Sequence, residues 1–141
     1  MASSINEQQV LWGGLSSKTV TSATLVWSDE IAFNVEDWNG SVQVNADNAG
    51  TPASGDVCDV YVAWSNGDVL GDSGNDFDTA AHSEFVMRLN SYSTSGGEDP
   101  SIKTVPLSIS GKRAMKIGLS CPQAATRNFV VRARVATQRP Q

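Results

Sequence analysis

The chain has 141 residues, 40% of them hydrophobic and only 18% charged, with 15 acidic against 10 basic side chains and a net charge of −5. That length fits one domain around one core, and the low charge fits a chain that covers part of its surface with a partner. No window approaches the roughly 18 apolar residues of a membrane span, and Met1 to Glu7 has neither the basic nor the apolar stretch of a signal peptide, so folding in a cytoplasm is expected.

Residues 1–18 mix polar and small residues around Val10, Leu11 and Trp12, with Gly13 and Gly14 breaking any period. This predicts an N-terminal arm that lies against its own domain or a neighbour, because tryptophan has a large apolar surface. Truncation to residue 19 is expected to leave a folded domain. Residues 19–141 then read as a single β-sandwich domain. Short β-branched and aromatic runs with period two predict strands over 19–27, 30–35, 41–46, 57–64, 84–90, 103–109, 114–119 and 128–135. Ile31, Phe33 and Val35 share one face, as do Cys58, Val60, Val62 and Trp64, and as do Phe85, Met87 and Leu89. In the last run Phe129, Val131, Ala133 and Val135 point inward and Arg132 and Arg134 outward. Asn39-Gly40 is a strong hairpin signal. About eight strands and no helical period predict an all-β, antiparallel β-sandwich of jelly-roll type with an extended N-terminal arm, a closed barrel being less favoured. The core is expected to include Phe33, Val60, Val62, Phe129 and Val131.

Catalytic chemistry is hard to find. There is one histidine, His82, with no nucleophile elbow, phosphate-cradling loop or zinc spacing, which argues against an enzyme and against a bound cofactor. The loop over 65–82 contains Asp68, Asp72, Asn75, Asp76 and Asp78. Asp72, Asp76 and Asp78 are candidate ligands for a hard cation, although the spacing is not that of an EF-hand and short acids in such loops commonly hydrogen-bond their own backbone. His82 reads as a structural residue. Cys58 and Cys121 read as buried, reduced thiols, with a mutual disulfide as the alternative. Trp27 and Trp64 end strand runs and are expected in the core. Trp38, in the turn Asp37-Trp38-Asn39-Gly40, is expected to be exposed and to contact a sugar or a protein.

Residues 1–99 hold all 15 acids and two bases, whereas residues 100–141 hold no acid and eight bases. Late basic strands sitting among early acidic ones in one sheet would explain this, and so would opposite faces that steer copies together. The basic segment lacks interleaved exposed aromatics and the whole chain is acidic, so nucleic acid is not expected as a partner, and without a long apolar window neither is a membrane.

Three segments carry a resemblance: Gly71-Asp72-Ser73-Gly74-Asn75-Asp76-Phe77-Asp78-Thr79, Gly97-Glu98-Asp99-Pro100-Ser101 before Thr104-Val105-Pro106-Leu107, and Ala124-Ala125-Thr126-Arg127-Asn128-Phe129-Val130-Val131. Over roughly residues 57–137 the chain resembles small virion structural proteins of tailed double-stranded DNA bacteriophages, of the capsid decoration or cement type. The resemblance implies a β-sandwich or jelly roll on the outer surface of the phage head, a homotrimer that holds neighbouring major capsid protein subunits together, made in the host cytoplasm and located on the virion capsid. It transfers no catalytic residue. Val10, Leu11, Trp12, Trp38, Arg132 and Arg134 are the interface candidates. The rivals are a carbohydrate- or receptor-binding module of a tail fibre or spike, with Trp38 beside a calcium-holding acidic loop, and a tail or connector component.

Overall fold

A computed structural model describes residues 3–122 and 128–140. Ten strands follow in chain order: β1 (Ser3–Gln9), β2 (Lys18–Val20), β3 (Val26–Trp27), β4 (Ile31–Ala32), β5 (Asn39–Asn48), β6 (Val57–Ser65), β7 (Glu84–Asn90), β8 (Ser101–Leu107), β9 (Ala114–Ser120) and β10 (Phe129–Pro140). The only helical segments among the described residues are the 3₁₀ turns Ala80–His82 and Ser93–Ser95. The strands form two antiparallel sheets. Sheet I has the order β1-β10-β5-β8, with β2 also on β10; sheet II has the order β3-β9-β6-β7, with β4 also on β9.

Period two in the sequence becomes two facing apolar surfaces. Sheet I contributes Val42, Val44 and Ala46 from β5 and Phe129, Val131, Ala133 and Val135 from β10; sheet II contributes Val60 and Val62, Met87 and Leu89, and Met115, Ile117 and Leu119. All are buried, each large side chain stabilising the fold by roughly 1.5–3 kcal/mol.

The expected separate arm is corrected by the structure. β1 pairs with β10 from Ser3 opposite Pro140 to Gln9 opposite Arg134, the Val10 amide donates to the Ala133 carbonyl at 2.9 Å, and Val10 and Trp12 belong to the core. The physical reason is β10, which runs for 12 residues and would otherwise present an open flank of backbone groups. The hairpin at Asn39-Gly40 does not form either. Both residues lie inside β5, and the chain before them crosses from sheet II to sheet I. Gly40 is needed for close packing, since a Cβ there would lie 2.9 Å from the Ala136 carbonyl oxygen and 3.3 Å from Ile109.

Three facings also differ. Phe33 is only partly buried and Val35 is 95% exposed, because β4 stops at Ala32. Trp27 lies on the outer face of sheet II, over Gly118. A β-bulge between β6 and β7 at Val60/Tyr61 inserts Val86, so that Phe85 pairs with Tyr61 on the outer face instead of joining Met87 and Leu89 inside. The rings of Tyr61 and Phe85 meet edge to face at 5.5 Å.

Cys58 and Cys121 are both buried and not bonded to each other. Asp59 pairs with Ser120, so one step further along the register the two thiols fall opposite one another. Burial pushes the Cys58 thiol up to about 12, with smaller contributions from Cys121 and Asp59. Of the segments that carry the resemblance, residues 124–127 lie outside the described residues.

Candidate functional site

Three loops gather at one end of the two sheets: residues 33–38 after β4, residues 66–79 after β6, and residues 108–113 before β9. Each is built by side chains that turn back on their own backbone. In the first, Asp37 is buried, accepts the Asn34 amide at 2.9 Å and pairs with Arg139 at 2.9 Å. Anchoring Asp37 leaves Val35 at the tip and Trp38, 56% exposed, on its flank. The Phe33 amide donates to the Arg113 carbonyl, which ties this loop to the third.

The long loop is ordered by two carboxylates. Asp68 accepts the amides of Gly71, Asp72 and Ser73 at 2.6, 3.0 and 2.9 Å, and Asp76 accepts those of Val69 and Leu70 at 2.7 and 2.8 Å. The hydrogen bond from Ser73, helped by those from Gly71 and Asp72, holds the Asp68 carboxyl below its usual range. Asp78 accepts the Trp64 amide. With its acids spent inward, the loop presents Val69 and Leu70 to solvent, 75% and 76% exposed.

Lys112 and Arg113 stand between these tips. The Lys112 ammonium donates to the Ser108 carbonyl at 2.9 Å and lies 4.7 Å from the centre of the Trp64 ring, a cation–π contact. On one side a groove of about 460 Å³ is lined by Phe33, Val35, Asn66, Asn75, Lys112 and Arg113. On the other, a hollow of about 600 Å³ is lined by Trp64, Val69, Leu70, Phe77, Asp78 and Lys112. The result is an amphipathic surface: apolar tips on ordered loops, two cations at the centre and carboxylates behind them. Such a surface can bind a macromolecule through desolvated apolar contacts framed by charge.

The candidate cation ligands are regrouped by the fold. Asp68, Asp72 and Asp76, rather than Asp72, Asp76 and Asp78, bring their carboxylate oxygens within 4.8 Å of one another. The oxygens of Asp68 and Asp76 already face five backbone amides, whose partial positive charge does the work a cation would do. The trio therefore reads as the framework of an Asx-type loop. His82 is exposed in a 3₁₀ turn at the foot of the loop.

The interface candidates separate. Val10 and Trp12 are buried and offer nothing to a partner, whereas Leu11 and Trp38 are exposed. Arg132 and Arg134 project from the outer face of sheet I, where Arg134 stands 3.7 Å from Glu7. The topology also mixes charges that the sequence keeps apart. β10 lies between β1 and β5, which sets Arg134 by Glu7 and Arg139 by Asp37 within one domain. Sequence reasoning set Val35 on a strand face with Ile31 and Phe33 and did not single out Val69 and Leu70, although an apolar pair inside an acidic, glycine-rich loop was a usable signal.

No protein-family model and no curated protein matches the chain. Among solved structures, the chain is distantly similar to one described as "Crystal Structure of FLHE", with 9% identity and a TM-score of 0.42 over 99% of this chain and 97% of that one. It is also distantly similar to a chain of the "Acidic stable capsid structure of Helicobacter pylori bacteriophage KHP30", with 15% identity and a TM-score of 0.34 over 89% of this chain and 94% of that one.

Proposed function

We propose that this chain is a non-catalytic virion structural protein, a capsid decoration or cement protein that binds the outer surface of a phage head and bridges major capsid protein subunits. The observation that carries the reading is the cluster of exposed apolar side chains, Val35, Trp38, Val69 and Leu70, on ordered loops at one end of the domain. Monomeric proteins seldom fix such residues on rigid tips unless a partner covers them. The segment 71–79 behind the resemblance directly follows Val69 and Leu70, and its Phe77 lines the hollow beside them. Many copies, each adding a modest contact across subunit joints, would reinforce the shell together, as multivalency allows. A homotrimer is part of this reading. So is a jelly roll: the chain alternates between the sheets in the order β1/β2, β3/β4, β5, β6/β7, β8, β9, β10, which supports it.

The test is uptake. Purified protein is added to expanded heads that lack it, beside a Val69→Asp/Leu70→Asp variant. Saturable uptake of the wild type, lost in the variant at unchanged melting temperature, supports the reading. Failure of the wild type to bind heads, with binding to a glycan or to tail components instead, would move the function to one of the rivals.

A further inference from the structure

We infer that the open edge of β1 is a self-pairing site, which takes β1 of a second copy antiparallel about a two-fold axis at Asn6 and joins two copies of sheet I into one. The argument starts from backbone direction. The Val10 amide donates to the Ala133 carbonyl, one step beyond the Gln9–Arg134 pair, and hydrogen-bonded and non-hydrogen-bonded pairs alternate along an antiparallel ladder. The amides and carbonyls of Gln8, Asn6 and Ser4 therefore face β10. Those of Ser3, Ile5, Glu7 and Gln9 face outward, and among the described residues β1 has no strand on that side.

Every other edge of the two sheets is blunted. β8 carries Lys103 and Pro106; β7 is bulged and carries Glu84 and Arg88; β2, β3 and β4 have only three, two and two residues. Lysine, proline, bulges and short length are the usual devices against edge-to-edge pairing. β1 is the least protected: it has seven residues in unbroken register, no basic residue, no proline and no bulge, and a single charge, Glu7.

The occupant follows from the sequence Ser3-Ser4-Ile5-Asn6-Glu7-Gln8-Gln9 itself. Pairing about Asn6 sets Ser3 opposite Gln9 and Ile5 opposite Glu7 of the second copy, so all four outward-facing residues meet outward-facing partners. The one charged residue meets an isoleucine that is 69% exposed rather than its own copy. A shift of one residue would oppose outward amides to inward ones, and a shift of two in one direction would oppose Glu7 to Glu7. Such a contact is isologous and closes at two copies. A three-fold assembly would use other surfaces, so this pairing stands apart from the capsid reading.

The experiment uses the full chain. Asn6→Cys places a thiol on the axis, at a non-hydrogen-bonded pair whose Cα atoms stand about 4.5 Å apart, within reach of a disulfide. Under oxidised glutathione it should cross-link to a covalent dimer many times faster than Gln9→Cys, whose counterpart is Ser3. Sedimentation velocity should show a concentration-dependent dimer that Ile5→Pro dissociates, because that proline removes an outward amide and none directed at β10. Ile5→Lys is the second variant and should act alike at unchanged melting temperature. A monomeric wild type, equal cross-linking of the two cysteine variants, or a dimer that survives both Ile5 substitutions would overturn the inference.

Discussion

The ring of Trp27 fills the space above Gly118: a Cβ built on that glycine would stand 2.6 Å from Cζ3 and 2.9 Å from Cε3 and Cη2 of the indole. The glycine is thus a seat for the tryptophan on the outer face of sheet II. Gly118→Ala should push the ring aside and cost about 1–3 kcal/mol, the usual range for overpacking. Urea denaturation checks this, and a double-mutant cycle sharpens it: in a Trp27→Ala background the alanine at 118 should cost far less.

Trp12→Ala should cost about 3–5 kcal/mol, as for other buried large aromatics, and deletion of residues 1–12 should abolish cooperative unfolding. Circular dichroism melts of both variants check this. A deletion variant as stable as the full chain would mean that β1 and Trp12 only rest on the domain.

Phe129 is fully buried on the inner face of sheet I and Val62 on that of sheet II. Phe129→Ala should cost about 3–5 kcal/mol, and Val62→Ala roughly 2 kcal/mol from two lost methyl groups and the cavity they leave. Chemical denaturation of each variant provides the measurement.

The pH dependence is set on the alkaline side by Cys58, whose ordinary value is 9.0 and whose folded value is about 12. A group whose value is raised on folding contributes stability that is fully present below the unfolded value. Unfolding releases the proton above pH 9, so stability should fall from there towards pH 12. Melting temperatures from pH 7 to 11 should show this slope, and Cys58→Ala should flatten it. Thiol reagents at neutral pH should label the native protein at Cys58 only slowly.

Asp68→Ala frees three backbone amides at once. Hydrogen exchange should accelerate at Gly71, Asp72 and Ser73 while the core remains protected, because the loop is exposed and contributes little to the core. Uptake by expanded heads should drop with the loss of a preorganised tip, and weak binding at full loop order would separate the two effects.

The long central strands were legible because each sends a period-two apolar row into the core: β5, β6, β9 and β10 fall close to their predicted positions. β1 was not, since Ser3-Ser4-Ile5-Asn6-Glu7-Gln8-Gln9 is an edge strand whose polar side chains carry almost no period. The runs 19–27 and 30–35 have strand composition but supply only β2, β3 and β4, because crossing between sheets interrupts them. Phe85 and Trp27 misled for tertiary reasons, a bulge in one case and a glycine on the neighbouring strand β9, far away in sequence, in the other. For the candidate site, Trp38 was legible from its turn, whereas the tips at Val35, Val69 and Leu70 depend on which neighbouring acids are consumed by backbone amides.

β10, bonded to β1 on one flank and β5 on the other, comes last in chain order among the described strands. Until residues 129–140 dock, β1, β2 and β5 lack their common neighbour and the valines of β5 face water. Sheet I must then close through pairings as far apart in sequence as residues 5 and 138, which makes its formation slow. A product truncated before Phe129 can never complete sheet I.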